Sequence, residues 1–465
     1  MPALSVSPIV AALDQVEVDL DEVIATAATE PAPAVMLSLV EALSQVPDPR
    51  KARGVRHDVL AVLLLGACAV LSGARSFAAV AEYAHDAGRA VLAALGVGAV
   101  VPHESTLRRV LQQVDPSALE AALRSWVLAQ LRTRAVPVGT PRREQRRVLA
   151  LDGKTLRGAH VRALDAGVYL PHLVSVLDQH SGAVLGQVGV SDKGSEVTAF
   201  TTLLDEFDLA GVLVTADALH THRGHAEYLH ARGGHYLMTI KANQPRLLAR
   251  VRALPWTDIG VAARERARGH GRVETRTVSV VSLHPCPDRG GEFFPHAAQA
   301  IKLVRRRRPL RPGGRWKTVT VYAITSLTGF DADPGLLARW IRGHWGIENR
   351  LHWVRDVTYD EDRSAVRTGS GPQVMAAFGN LAIIALRLSG ATNIAAALRH
   401  HARDTLRPLA TYKITRRLCR DPACEGSLRL AATSNACVLW KSDPMTVQRK
   451  ACSGERRRPI IMRSK

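Results

Sequence analysis

Cysteine is scarce in this chain of 465 residues, and its six copies show no paired CxxC spacing of the kind a zinc module needs. Cys68 lies in an apolar stretch, Cys286 stands beside prolines, and Cys419, Cys424, Cys437 and Cys452 are scattered near the C-terminus. A disulfide framework is equally unsupported, so a reducing cytoplasm is the expected compartment. Long apolar runs are missing too. The longest uncharged one, VLAVLLLGACAVLSGA from Val59 to Ala74, falls short of the ~20 residues of a membrane span and reads as a buried core helix. The opening MPALSVSPIVAALDQVEVDLDE carries acids where a secretory signal carries positive charge, so export is not expected. Acids are in deficit over the chain as a whole: 42 Asp and Glu face 62 Lys and Arg, a formal charge of +20. A protein this basic usually meets a polyanion, because neutralising phosphates releases condensed counterions. A solubility charge is the plainer reading, but basicity spread through enzyme-like segments favours work on nucleic acid.

What is present is enough hydrophobic residue, 46%, to bury a real core. The length implies about two to four domains. Residues 1–34 read as a weakly ordered leader and 35–136 as a helical N-terminal domain with a possible role in DNA binding. There, DPRKARGVRH sets a basic loop before the apolar helix. HESTLRRVLQQVDPSALEAALRSWVLAQL reads as two helices, with Ser105 and Thr106 as N-caps of the first and Asp115-Pro116 breaking the pattern. Two helices joined by a tight turn, with Arg108 and Arg109 near one N-terminus, fit a helix-turn-helix reader of DNA and equally fit ordinary helical packing. After a linker at 137–147 the texture changes. VLALD, HLVSVLD and AVLGQVGV are short strand-like runs; a helical pattern, LVTAD, a second helix and HYLMTIKAN follow. This is the element order of an RNase H-like mixed sheet, an α/β fold, over 148–245. Residues 246–327 are β-rich and basic, an inserted strand subdomain whose densest positive patch runs from Arg305 and Arg306 to Lys317. Such a run is either a solvated face or a phosphate-contacting ribbon, and interleaved Trp316 favours the ribbon. Helices return over 328–414, and 415–465 form an atypical basic tail, expected to be disordered.

Asp152 and Asp217 each end an expected strand. A carboxylate there points into the crevice outside the sheet, where α/β folds place their sites. Two such acids on neighbouring strands repel one another unless protons or divalent cations compensate. HWGIENRLHW offers a third acid, Glu348, between two of the chain's seven tryptophans. On an α-helix, His344, Trp345, Leu351, His352 and Arg355 would share its face. The indoles would then wedge the helix against the sheet while His344, His352 and Arg355 face phosphate. In the competing reading the tryptophans are plain core anchors and Glu348 pairs with Arg355 or His352. Lys154, Lys241 and Asn243 are phosphate neighbours by position, or else parts of a solvated loop. A zinc hydrolase built from His220, His222, His225 and His230, or from His344, Glu348 and His352, matches no closed zinc spacing.

LALDGKTLRGA, HLVSVLDQHSGAVLGQVGVSDKGSEVTAF, VTADALHTHR, GGHYLMTIKANQP, RGHGRVETRTV and HWGIENRLHWVRDVTYDEDRSAVRTGSGPQVMAAFGNLAI, in that order, resemble the transposases of bacterial insertion sequences. The resemblance is to the ISAs-type, H-repeat-associated branch of the DDE group and covers roughly Leu37 to Ile414. It implies an RNase H-like catalytic domain with a triad on Asp152, Asp217 and Glu348, which would bind two Mg²⁺ or Mn²⁺ ions. Arg355 resembles a basic position that related transposases use near the DNA end; Ile341 and His344 stand where those relatives carry tyrosine and arginine. The partners implied are double-stranded DNA, both terminal inverted repeats and target, and a second copy of the chain, in a cytoplasmic, nucleoid-associated setting. A catalytically silent DNA-binding remnant of such an element is the alternative, against which the three acids stand intact.

Overall fold

The uncharged Val- and Leu-rich runs form the centre of the molecule as strands, because residues buried on both faces of a sheet need no alternation. The computed structural model describes residues 37–53, 55–132, 143–159, 161–163, 167–169, 171–190, 195–269, 271–283 and 293–414. The leader, residues 137–142 of the linker and the C-terminal tail lie outside the described residues. The strands are β1 (Val148–Thr155), β2 (Val161–Ala163), β3 (Gly167–Tyr169), β4 (His172–Asp178), β5 (Val184–Val190), β6 (Leu213–Ala216) and β7 (His235–Ile240), followed by β8 (Ala263–Gly269), β9 (Arg272–Ser282), β10 (Gln299–Pro309) and β11 (Lys317–Thr325). Nine of them make one sheet in the order β5-β4-β1-β6-β7-β11-β10-β9-β8, while β2 and β3 pair separately. β4 and β5 run antiparallel in a meander from β1, whereas β6 and β7 run parallel to it. That is the RNase H-like arrangement expected from element order. The basic insertion differs from a separate subdomain: β11 pairs with β7, so its four strands prolong the same sheet.

Helices α1 (Leu39–Leu43), α2 (Val59–Leu71), α3 (Phe77–Asp86), α4 (Arg89–Ala94), α5 (Glu104–Leu111) and α6 (Pro116–Arg132) precede the sheet. α7 (Glu196–Leu204), α8 (Arg223–Ala231) and α9 (Pro245–Arg252) lie within it in sequence; α10 (Pro334–His344), α11 (Gly371–Leu388), α12 (Ile394–His401) and α13 (Leu406–Tyr412) follow. α10 covers one face, with Leu336, Leu337 and Trp340 packed on Val148, Leu213, Leu237 and Ile301. The opposite face joins α7, α8, α11 and the N-terminal helices in one continuous core. α2 is buried over nearly its whole length, as its uniform apolarity requires. It crosses α11 so closely that a Cβ at Gly66 would lie 2.7 Å from the Phe378 ring. α11 itself is long and apolar enough to span a membrane, but 78% of it is buried inside the protein. α5 begins two residues earlier than a Ser105 cap implies: His103 is the N-cap, its Nδ1 accepting the Ser105 amide at 3.2 Å. Asp115 starts α6 as expected, accepting from the Ser117 amide.

Candidate active site at the sheet end

β1 and β6 are parallel neighbours, with Leu151 opposite Ala216, so Asp152 and Asp217 come next, side by side. Asp217 follows the end of β6 as expected, whereas Asp152 does not end its strand, because pairing with β4 carries β1 on to Thr155. Asp217 also caps the turn after β6 by accepting the Leu219 amide at 2.7 Å. Asn243 Nδ2 donates to the Ala218 carbonyl and fixes that turn from the far side. The third acid arrives on a segment that crosses both strand ends. His344 Nδ1 lies 3.2 Å from Thr215 Oγ1 on β6, and His352 Nδ1 lies 3.5 Å from Asp152 Oδ2 on β1. Glu348 stands midway between these two contacts, with its side chain exposed.

This segment is wound as a π-helix over Glu348–His352 and Val354–Thr358: the Trp353 amide donates to the Glu348 carbonyl and the Tyr359 amide to that of Val354. Such windings concentrate at functional sites because they re-aim side chains within a helix. Here Ile347, Leu351 and Val354 turn into the core. The tryptophans turn out, with Trp345 42% and Trp353 55% exposed, so neither indole wedges the helix. Trp340, one helix earlier, is the core anchor instead. Trp345 is covered by the Arg305 guanidinium, 4.7 Å from the ring centroid.

Burial, with the Asp217 and Glu348 carboxylates beside it, pushes the Asp152 carboxyl up to about 7. The groups that could neutralise it do not. Burial lowers His352 to about 3 and His344 to about 4, which leaves both rings neutral at physiological pH. Lys241 stands 4.0 Å from Asp217 and is largely exposed. Lys154 is buried and engaged elsewhere, with Asp356, Glu361 and Asp362 around its ammonium. Arg355, 1% exposed, is held by Glu361 at 2.8 Å and by Gln187 Oε1 at 2.8 Å. Lys154 and Arg355 thus brace the π-helical segment from beneath, and neither they, His344 nor His352 faces open solvent. Among the described residues no three His, Cys, Asp or Glu side chains converge tightly enough to hold an ion by themselves. The histidines of the zinc reading are engaged separately: His220 binds Glu196, His225 stacks on Phe200, and His230 stacks on His296. Carboxylates that share a crevice without closing on it suit Mg²⁺, which keeps several waters and takes substrate phosphate as ligand.

A cleft of about 770 Å³ is walled by Arg268, Arg272, Arg305, Arg307, Arg342 and Arg350, with Trp345 and Asn349 of the segment that carries Glu348, though none of the three acids lines it. Arg306 and Arg308 point to the other side of β10, where both lie 5.2 Å from the centroid of the Trp316 ring. Arg109 lines a second groove of about 800 Å³ with Arg50 and Arg56, far along the chain, while Arg108 pairs with Glu104 at 3.3 Å. Sequence reasoning missed His172 and Glu196, which pack against Gly153 next to Asp152. Their only signal was position, inside a motif with no local periodicity.

The fold is thus an RNase H-like α/β sheet with two aspartates side by side on and after β1 and β6. The chain belongs to the Transposase DDE domain family, matched over residues 143–385, and residues 40–127 match the DDE_Tnp_1-associated family. It is 28% identical over 357 residues to "Putative transposase YncI" of Escherichia coli O157:H7, covering 75% of this chain and 87% of that one. It is likewise 28% identical to "H repeat-associated putative transposase YhhI" of E. coli K12, covering 74% and 89%. A solved piggyBac transposase synaptic complex with hairpin DNA matches at 9% identity and a TM-score of 0.36, over 89% of this chain and 83% of that one.

Proposed function

We propose that this transposase cuts double-stranded DNA at the terminal inverted repeats of its element and joins the freed 3′-OH to target DNA, with Asp152, Asp217 and Glu348 as its triad. The observation that carries the reading is electrostatic: Asp152 is raised by burial and by both other acids, so the three share one field, in which exposed Lys241, 4.0 Å from Asp217, leaves Asp152 without a cation of its own. Two divalent ions, Mg²⁺ or Mn²⁺, would relieve it and would supply activation of the attacking oxygen and stabilisation of the leaving one. Asp152 and Asp217 would hold the ions from β1 and the end of β6, and Glu348 would complete the set from the π-helical segment. Lys241 is free to turn from Asp217 to a phosphate oxygen. The arginine cleft lays the DNA backbone beside the acids, its guanidinium groups spaced along β8–β10 and α10. Two protomers would hold the two element ends.

A plasmid carrying this reading frame with its flanking DNA tests the proposal. Asp152→Asn is expected to lower Mg²⁺-dependent strand cleavage by about three orders of magnitude, the loss of several kcal/mol of charge stabilisation. DNA binding should survive the substitution. Undiminished cleavage by this variant would remove Asp152 from the chemistry, and a wild-type chain that binds ends without cutting would make it a DNA-binding remnant.

A further inference from the structure

Resting on the triad just proposed, we infer that Glu196 is a positioning residue that ties the segment bearing Asp152 to the segment bearing Asp217 and so sets their separation for metal binding. Glu196 opens α7 and is 3% exposed. Its two oxygens reach in different directions. Oε2 accepts from His172 Nε2 at 2.9 Å, and Oε1 accepts from His220 Nε2 at 3.0 Å. His172 belongs to β4, lies opposite Thr155 of β1, and places Nδ1 2.9 Å from the Thr155 hydroxyl. The His172–Glu196 pair also lies across the Cα of Gly153, where a Cβ would come within 2.4 Å of His172 Nε2 and 2.5 Å of Glu196 Cδ. That arm therefore grips β1 on the residue after Asp152 and again two residues later. His220 is fully buried in the short turn that Asp217 caps, and its amide donates to the Asp217 carbonyl at 3.3 Å. This second arm grips the chain three residues after Asp217.

A buried carboxylate is costly without compensation, and this one is compensated. Burial pushes its acid form, but the hydrogen bonds from His172 and His220 outweigh burial and hold Glu196 at about 2. The network faces α7 and α8 on its outer side, where Phe200 stacks on His225 at 4.0 Å and tilts against His220 at 5.3 Å. His220 cannot swing away without opening that packing. Strands β1 and β6 are hydrogen-bonded only as far as Leu151 and Ala216; Asp152 stays in the ladder with β4, but beyond the β1–β6 ladder no backbone pairing ties it to Asp217. The Glu196 bridge begins where the ladder stops.

The test separates positioning from stability by donor–acceptor chemistry. Glutamine is isosteric with glutamate but is uncharged and has one acceptor oxygen, so Glu196→Gln removes one accepting contact and the charge that strengthens both; Glu196→Asp keeps both acceptors and the charge. The full-length variants, with wild type and Asp152→Asn as references, are titrated with Mn²⁺ on duplex DNA, free Mn²⁺ being counted by its paramagnetic resonance signal. Melting is measured without metal. Glu196→Gln is expected to weaken Mn²⁺ binding about 10- to 100-fold, the usual effect of removing an outer partner of a metal site. Its DNA affinity should stay within about twofold, since no phosphate contact is lost. Glu196→Asp should recover part of the Mn²⁺ affinity. Should Glu196→Gln fail to fold, His220→Asn, which disturbs only the Asp217 arm, carries the same comparison. Wild-type Mn²⁺ affinity in a folded Glu196→Gln or His220→Asn protein overturns the inference while leaving the triad in place. Parallel loss of melting temperature, DNA affinity and Mn²⁺ binding also overturns it, since that marks a general structural role. Wild-type Mn²⁺ binding and cleavage by Asp152→Asn would instead sink the triad, and the inference with it.

Discussion

At the scale of single residues the candidate site is stabilised for its chemistry at the expense of the fold. Asp152 is raised to about 7 from an ordinary 3.8, so the folded protein holds a proton there that the unfolded chain has already released. A group raised in this way contributes fully below the unfolded value, and its contribution is lost as pH rises through the folded value. Between pH 4 and 7 the metal-free protein should therefore lose stability at this position. Asp152→Asn should melt higher than wild type at pH 8 in chelator, by roughly 1–3 kcal/mol, with the difference vanishing near pH 4. Thermal melting across that range checks the sign as well as the size. Gly153 makes the complementary case. Its missing side chain is occupied by the His172–Glu196 pair, so Gly153→Ala must push a strand or break the pair. A loss of about 1–3 kcal/mol in denaturant unfolding is expected, the usual effect of overpacking a filled site.

At the scale of elements, the strands were legible because they are short, β-branched and bounded by turn residues, and because β1, β4 and β5 follow one another as a meander. Asp217 was legible for the same reason, since a strand end is marked in the sequence; Asp152 was read as a strand end too, but pairing with β4 carries β1 three residues beyond it. The surroundings of Glu348 were not. An α-helical period places Trp345 on the face of Glu348, whereas the π-helical winding buries Ile347, Leu351 and Val354 and exposes both indoles. No local residue pattern announces an extra residue per turn; it follows from Arg355 and Lys154 anchoring the segment to partners distant in sequence, Gln187 and the β1 strand. The basic insertion was read as separate because its composition changes, but hydrogen bonding along the β7 edge is indifferent to composition. The winding makes a testable contrast. Leu351→Ala should cost about 2–5 kcal/mol as a core truncation. Trp353→Ala, a larger deletion at an exposed position, should stay within about 0.5 kcal/mol in equilibrium unfolding. The reverse order would restore the α-helical face.

At the scale of the whole molecule, a charge of +20 does not by itself say where DNA lies. Several arginines of the cleft are already neutralised within the protein: Arg276 by Glu274 and Glu265, Arg342 by Glu265, and Arg339 by Glu144 at 3.2 Å. Arg272 leans on Glu274 at 3.6 Å. Arg305 and Arg307 on β10 have no carboxylate within ion-pair distance among the described residues, and Arg305 is held ready over Trp345. Paired arginines release fewer counterions on binding than unpaired ones, because their charge is already spent on an internal acid. The salt dependence of DNA binding should therefore be set by a few groups and not by the total charge. Each phosphate neutralised contributes a slope of about −0.9 in log K against log salt, so a double Arg305→Ala, Arg307→Ala variant should lose roughly 2 from the wild-type slope. Removing the paired Arg339 should change it by less than about half a unit, its guanidinium being committed to Glu144. Fluorescence anisotropy on a duplex between 50 and 200 mM KCl measures both slopes on the scale where they differ. Equal slopes for the two variants would mean that DNA approaches the sheet elsewhere, with the groove of Arg50, Arg56 and Arg109 the next surface to substitute.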